Sequence, residues 1–483
     1  MKSPQSQWGK EEIASWLLSL ANKPALSLFF LILLCIPVQL GKHFWPDFAF
    51  VNGLRIDYLS PTFYLTDFLI ILAFIETLPR VFRSLFSFRG MVVLLIVIFL
   101  ISRALSSPSP SNSLFGVARF VEIVFLSLYI SWFIGQKKLQ TTIRTVVGLS
   151  VILVSWLTVW QSVVQSSVGG IWYFMGERTF TSVTPGIANA SLQGSLILRP
   201  YAAFPHPNVL AGFLVIMLAY LLFPPSLSRP QNRLRRYLPS VAILLGIVSL
   251  ILTLSRTATV VMGLILFVWL LKATIKTRLQ KSLLVASMVL LAILVFQTGL
   301  INRFTSLSFI DEAVSIREFL LTQTITMISH NFWVGVGMQN FLPVLGQQLV
   351  PAPPAFFQPV HSFYLLLLSE TGGIGLGIFF VFLSVSLLRI SRSNPSTRLG
   401  KLIVLGVFLL LGTTDHYLYT LHQGQLLTAF VFGVIFADDP LPGGNRALSS
   451  REAKNLRTGK QVENSRKIAG SHAVKIPRMR RLS

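Results

Sequence analysis

The chain is poor in charge and has almost no cysteine. Only 12% of its 483 residues are charged against 53% hydrophobic, too few to coat a water-soluble globule, which excludes a soluble enzyme. Acidic residues are scarcest: 17 Asp and Glu face 41 Lys and Arg, a net charge of +24. On a soluble domain that excess would point to nucleic acid. Here the basic residues fall in short clusters between long apolar runs, so nucleic acid is not an expected partner. The single cysteine, Cys35, lies within an apolar run, which excludes an intrachain disulfide and any cysteine-based zinc or redox motif.

Long apolar runs are what the chain does have. Crossing a bilayer takes about 20 mostly apolar residues, and twelve runs qualify: 25–41, 61–78, 90–105, 114–134, 142–165, 207–224, 237–254, 256–272, 282–298, 361–389, 400–415 and 419–437. The expected fold is therefore an all-α polytopic membrane protein of about twelve transmembrane helices, with residues 1–437 as the integral membrane domain. The first run reads as a signal anchor. Every second connection is basic, and with the N-terminus inside, 32 of the 41 Lys and Arg fall on the cytoplasmic side. Both termini are expected to be cytoplasmic.

Two long loops, 166–206 and 299–360, then face outward. The second is expected to contain an amphipathic helix from 309 to 329, with Ile316, Phe319, Leu320, Met327 and Ile328 on one face. It would lie on the membrane or on the bundle. Residues 8–20 show a similar pattern suited to the inner interface. The tail 438–483, with a net charge of +7, reads as a disordered basic cytoplasmic segment drawn to anionic membrane lipids.

No Asp or Glu occurs between Arg178 and Ile310, yet Arg199 and Arg256 stand in that interval on the expected outer side. Arg317, on the loop helix, has Ala313, Val314, Leu320 and Leu321 where a helical salt bridge needs a carboxylate. Three guanidiniums without local counter-ions suit a phosphate or pyrophosphate, because the planar fork donates to two oxygens at once. The competing reading is that they anchor helix ends by snorkelling to headgroups. Arg178 and Arg303 are assigned to that simpler role.

What favours anion binding is the company these residues keep. Arg199 opens Arg-Pro-Tyr-Ala-Ala-Phe-Pro-His-Pro-Asn, which brings His206 and Asn208 to a helix start at Pro207. Arg256 stands in Leu-Ser-Arg-Thr-Ala. After the loop helix come Gly335-Val336-Gly337-Met338-Gln339-Asn340-Phe341, then His361-Ser362-Phe363-Tyr364, then Glu370-Thr371-Gly372-Gly373 inside the longest run. A carboxylate within a span is costly and is usually functional or paired. Asp415-His416-Tyr417-Leu418 follows near the end.

In this order the segments resemble the O-antigen ligase and O-antigen polymerase family of bacterial inner-membrane glycosyltransferases over residues 199–434, with Asn331-Phe332-Trp333 and Ser362 departing from its pattern. The resemblance implies a C-type membrane glycosyltransferase architecture. It also implies transfer of a glycan from an undecaprenyl-pyrophosphate-linked donor to an acceptor hydroxyl of a glycan, lipid or protein, at the external face of the inner membrane. By similarity Arg256 and Arg317 grip the pyrophosphate with Arg199 in support, and His361 is the best-placed general base because an unperturbed imidazole titrates near the working pH. Arg199, His206, Asn208, Tyr364, Glu370, Asp415 and His416 become substrate-binding residues, with no cofactor and no metal. Elementary chemistry agrees: an outward-facing site has no nucleotide sugar or ATP, so its donor must carry its own leaving group. The alternative is an exporter or flippase of the same lipid-linked glycan, which related half-repeats would favour; no such halves are visible in the sequence.

Overall fold

The structure, a computed structural model, describes residues 23–192, 195–224, 233–272, 312–348 and 354–437. Its helices in chain order are α1 (Pro24–Cys35), α2 (Leu65–Leu85), α3 (Phe88–Leu105), α4 (Pro110–Ile134), α5 (Gln140–Val164), α6 (Pro207–Leu222) and α7 (Arg233–Leu252). They continue as α8 (Arg256–Lys272), α9 (Glu312–His330), α10 (Phe341–Gln348), α11 (Phe363–Ser391), α12 (Pro395–Thr414), α13 (Tyr417–Thr420) and α14 (His422–Phe436).

Among the described residues six helices, α3, α4, α5, α7, α11 and α12, are long and apolar enough to cross a membrane. The chain is thus a multi-pass membrane protein. Other expected runs take different forms. The run 25–41 yields a helix that stops at Cys35, because Pro37 follows at once. The runs 207–224 and 419–437 yield α6 and α14, apolar helices of 16 and 15 residues. Every residue of α6 from Val209 to Leu221 is buried, as is every residue of α14 from His422 to Ile435. A helix apolar all round belongs inside a bundle, and these two form its centre. At the periphery α3 fully buries only Leu100 and Ala104, with Ile96, Val97 and Phe99 packed beside them. The run 282–298, residues 8–20, Arg303 and the tail 438–483 lie outside the described residues.

One buried cluster of charge in the bundle is paired. Arg119 of α4 grips Asp67 of α2 through two bonds, Nη1 to Oδ1 at 2.8 Å and Nη2 to Oδ2 at 3.0 Å, and reaches Glu122 at 2.6 Å. His422, at the start of α14, joins them through the Thr66 hydroxyl at 2.6 Å and stacks on Tyr64 at 4.1 Å. Removing one partner of such a buried pair is costly because it strands the other charge.

A second, smaller core caps the end of the bundle that carries His361. The segment 41–64, expected only as a connection, folds into two short hairpins: β1 (Gly41–His43) pairs with β4 (Thr62–Tyr64), and β2 (Phe50–Val51) with β3 (Leu54–Arg55). Asn52 and Gly53 both take positive φ between β2 and β3, the conformation a two-residue type I′ turn requires. Val51, Ile56 and Leu59 pack there with Ile316, Leu320 and Met327 of α9. The loop helix therefore rests on the bundle. Loop 166–206 carries a third hairpin, β5 (Asn189–Leu192) with β6 (Ser195–Leu198).

Two of the motifs meet each other. The turn 331–340 lies along α11, with Val336 N–H donating to Ser369 O at 3.0 Å, Gly337 N–H to Glu370 O at 2.8 Å and Gly373 N–H to Phe332 O at 2.6 Å. Such close backbone approach leaves no room for a Cβ at Gly372, where it would stand 2.4 Å from the Trp333 carbonyl, and Gly372 also has φ +69° and kinks α11. Overpacking and an unfavourable left-handed residue together cost about 2–5 kcal/mol. Gly372→Ala is therefore expected to lower the unfolding temperature in detergent markedly. Gly377→Ala, on the same helix with open space around it, should leave stability unchanged or raise it by up to about 1 kcal/mol.

Candidate functional site

The segment that opens with Arg199 is built before any ligand arrives. Gln161 of α5, fully buried, accepts from Tyr201 N–H at 2.9 Å and Ala202 N–H at 2.8 Å and donates to Ala202 O, holding Ala202 at φ +48°. Glu177 donates nothing and accepts from Gln161, Val168 and Gly169, closing the same loop. At its end His206 caps α6, with Nδ1 accepting from Asn208 N–H at 3.1 Å, and Pro207 takes the first helical position, where its missing N–H costs nothing.

From there a continuous polar path crosses the cluster. Arg199 donates through Nε to Thr253 O and through Nη2 to Asn208 Oδ1, both at 2.8 Å. Asn208 Nδ2 donates to Asp415 Oδ2 at 3.0 Å, and Asp415 Oδ1 accepts from His416 N–H at 2.8 Å. The carboxylate that completes the path stands 207 residues beyond Asn208. This corrects the expectation that Arg199 lacks a partner: its guanidinium is tied into the protein at both ends. His416 Nδ1 shares a proton with the Thr420 hydroxyl at 2.7 Å, and its ring meets the ring of His361 edge to face at 5.6 Å. His361 itself precedes the cap of α11, and its Nδ1 is buried with no hydrogen-bond partner among the described residues.

All three imidazoles are held neutral. Burial, helped by the Arg199 charge, takes His206 down to about 3 despite Asp415. Burial takes His416 down to about 4 against the pull of the same carboxylate. His361 is also lowered from 6.5, by burial first, with Asp415 opposing and Arg317 adding to the shift. Despite this density of ligating groups, no three His, Cys, Asp or Glu converge with metal-ligand geometry among the described residues.

The other residues singled out from the sequence divide. Arg317 is an exposed residue of α9 within electrostatic reach of His361. Arg256 is the half-buried first residue of α8, three positions beyond the carbonyl that receives Arg199, and has no hydrogen bond or ion pair among the described residues. Two do not join the cluster. Tyr364 donates to Leu409 O at 2.8 Å and ties α11 to α12. Glu370 is buried beneath the Gly-x-Gly turn, where it accepts from Gln339 N–H at 2.9 Å, Phe341 N–H at 3.3 Å and the Tyr419 hydroxyl at 2.9 Å. Asn340 of that turn accepts from Ser109 N–H and donates to the Ser113 hydroxyl, fastening it to α4.

With this geometry in place the comparisons can be read. Residues 241–380 match the family described as O-antigen ligase. This is the family the ordered motifs resemble, and no curated protein matches the chain. The ligase-family region takes in Arg256, Arg317, the Gly-x-Gly turn, His361 and Glu370, and supports a glycosyltransferase of the ligase or polymerase kind. It excludes Arg199, His206, Asn208, Asp415 and His416, which are linked to one another and reach His361 through the His416 ring.

Sequence reasoning missed further members of the cluster. Arg178, set aside as an anchor, donates to Pro205 O at 2.9 Å and lies over the Tyr201 ring. Tyr58, from the first loop, meets His416 edge to face at 5.6 Å. Nothing in the sequence around Tyr58 signals this; only the folding of segment 41–64 onto α9 and α10 delivers it.

Proposed function

We propose that the protein transfers a glycan from an undecaprenyl-pyrophosphate-linked donor to an acceptor hydroxyl at the external face of the bacterial inner membrane. One observation carries this reading: His361, neutral and beside a charged cluster, keeps a buried Nδ1 without a partner. Leaving such an atom unsatisfied costs about 1–3 kcal/mol, a cost that binding of a hydroxyl at that nitrogen removes. With its proton on Nε2, the ring then acts as general base.

In the proposed step the acceptor oxygen forms a bond to the anomeric carbon and gives its proton to His361, which later releases it to water. The bond from that carbon to the pyrophosphate oxygen breaks, and its electron pair leaves on the polyprenyl pyrophosphate. Arg256 and Arg317 stabilise the charge that grows there, as preorganised donors do most effectively in a site shielded from water. Arg199, fixed by Asn208 and Thr253, supports them by its field, and Asp415, His416, His206 and Asn208 bind the glycan. Glu370 and Tyr364 are reassigned from substrate binding to holding the Gly-x-Gly turn and the α11–α12 pair. The alternation of basic and non-basic connections supports the outward orientation with both termini inside.

Arginine and lysine variants separate anion gripping from membrane anchoring. An anchor needs only a long stem and a charge, whereas a pyrophosphate clamp uses the two-donor fork that an ammonium cannot reproduce. Arg256→Lys and Arg317→Lys are each expected to insert normally and bind donor, yet to lose most turnover, without rescue by added Mg²⁺. Full turnover in both would return these residues to anchoring.

The pH profile tests the base. A ring whose pKa is depressed stays unprotonated, and therefore competent, as pH falls through 6.5. Activity should persist at pH 6.5 and fall only below it, with the acid limb absent from whatever residual rate His361→Ala retains. An acid midpoint above 6.5 in the parent would contradict a buried, neutral His361 as base.

A further inference from the structure

The first loop puts one side chain into the cluster that neither the ligase-family region nor the proposed step uses. Segment 41–64 is firmly placed: Asn52 Nδ2 donates to Gly346 O of α10 at 2.8 Å, and Val51, Ile56 and Leu59 are packed beneath α9 and α10. Between Ile56 and Leu59, in the 3₁₀ turn Asp57–Leu59, Tyr58 points its ring at His416, 5.6 Å away and inclined by 70°. His416 stands in the same relation to His361. Tyr58 is therefore one ring removed from the proposed base.

Its hydroxyl is the unusual part. Tyr58 is half-buried, and its phenol makes no hydrogen bond among the described residues. A phenol that finds no protein partner in so polar a cluster is placed to meet something else. Burial acts on the phenol first, and after it the charges of Asp415, Asp57 and Arg178; Arg178 already donates to Pro205 O and covers Tyr201. Two carboxylates near the hydroxyl disfavour a phosphate at this point. They favour a neutral ligand rich in hydroxyls, which accepts from the phenol and donates to Asp415, with aromatic edges lining its apolar faces. That is the chemistry of a sugar ring.

We propose that Tyr58 is a substrate-contacting residue that donates its hydroxyl to a sugar oxygen of the glycan, forming with Asp415 a subsite beside His416. The inference rests on the glycosyl-transfer reading and extends it to a loop that lies outside the ligase-family region.

Tyr58→Phe isolates the claim, because it removes one oxygen and keeps the ring against His416. Purified full-length protein would be assayed with the lipid-linked glycan extracted from cells that produce it, titrating donor and acceptor separately. The expected result is a loss of about tenfold in kcat/KM for one of the two, the scale of one hydrogen bond, with an unchanged unfolding temperature and an unchanged acid limb of the pH profile. Tyr58→Ala should disturb all three, since it also removes the packing on His416. If Tyr58→Phe matches the parent within twofold for both substrates, the hydroxyl makes no substrate contact and the inference falls while the transfer reading stands. If the parent forms no glycosidic bond, the reading beneath it falls instead.

Discussion

The hydrogen bond from Asn208 to Asp415, 3.0 Å long, holds the site together. It joins the start of α6 to the end of α12, and through Arg199 it also fixes the turn between α7 and α8. Each of the three groups is needed by the others. Arg199 without Asn208 would lose the acceptor of its Nη2, and Asp415 without it would lose the donor to its Oδ2. Satisfied as they are, they form a fixed polar floor on which His416 and then His361 stand. Buried polar networks of this kind are rigid because every alternative arrangement leaves a group unpaired.

Around that floor the molecule separates architecture from chemistry. The Gly-x-Gly turn, Asn340, Glu370 and Gly372 form one interlocked structural unit: a strand-like turn laid against a kinked helix, with the carboxylate beneath taking three donors. Their joint occurrence in the sequence follows from mutual packing, with no need of a ligand. Arg119, Asp67 and His422 do similar work deeper in the bundle, pinning the start of α14 and hence the segment 415–422 that carries Asp415 and His416. Among the described residues of the motifs and the first loop, the His361 Nδ1, the Tyr58 hydroxyl and the guanidiniums of Arg256 and Arg317 make no hydrogen bond.

Much of the frame was legible in the sequence because membrane physics writes it in large letters. Long apolar runs and alternating basic connections identify a polytopic protein, and the stripe Ile316, Leu320, Met327 announces α9 within three residues of its observed start. Hydropathy is silent on which apolar helix faces lipid and which faces protein, so α6 and α14 were indistinguishable from α3. The motif order drew attention to His361, Arg199, Asn208, Asp415 and His416, which the structure gathers into one cluster. Their hydrogen-bond partners were not legible: the Asn208–Asp415 pair spans 207 residues, and Arg199 read as unpartnered because its acceptors are an amide oxygen and a backbone carbonyl, which a search for carboxylates does not find. Tyr58 was hidden for the same reason. It lies in a segment without helical period, and only the packing of short hairpins on α9 and α10 brings it to His416.

The central claim is that the arginines and His361 make and break bonds and do not merely escort a lipid-linked glycan. The most direct measurement reconstitutes the purified protein in liposomes with lipid-linked donor and acceptor and follows both products by mass spectrometry. Chemistry predicts a new glycosidic bond matched one-for-one by free polyprenyl pyrophosphate, and neither product with His361→Ala. Intact donor appearing on the opposite leaflet, with no bond formed and no pyrophosphate lipid released, would contradict it and make the cluster a headgroup site of an exporter.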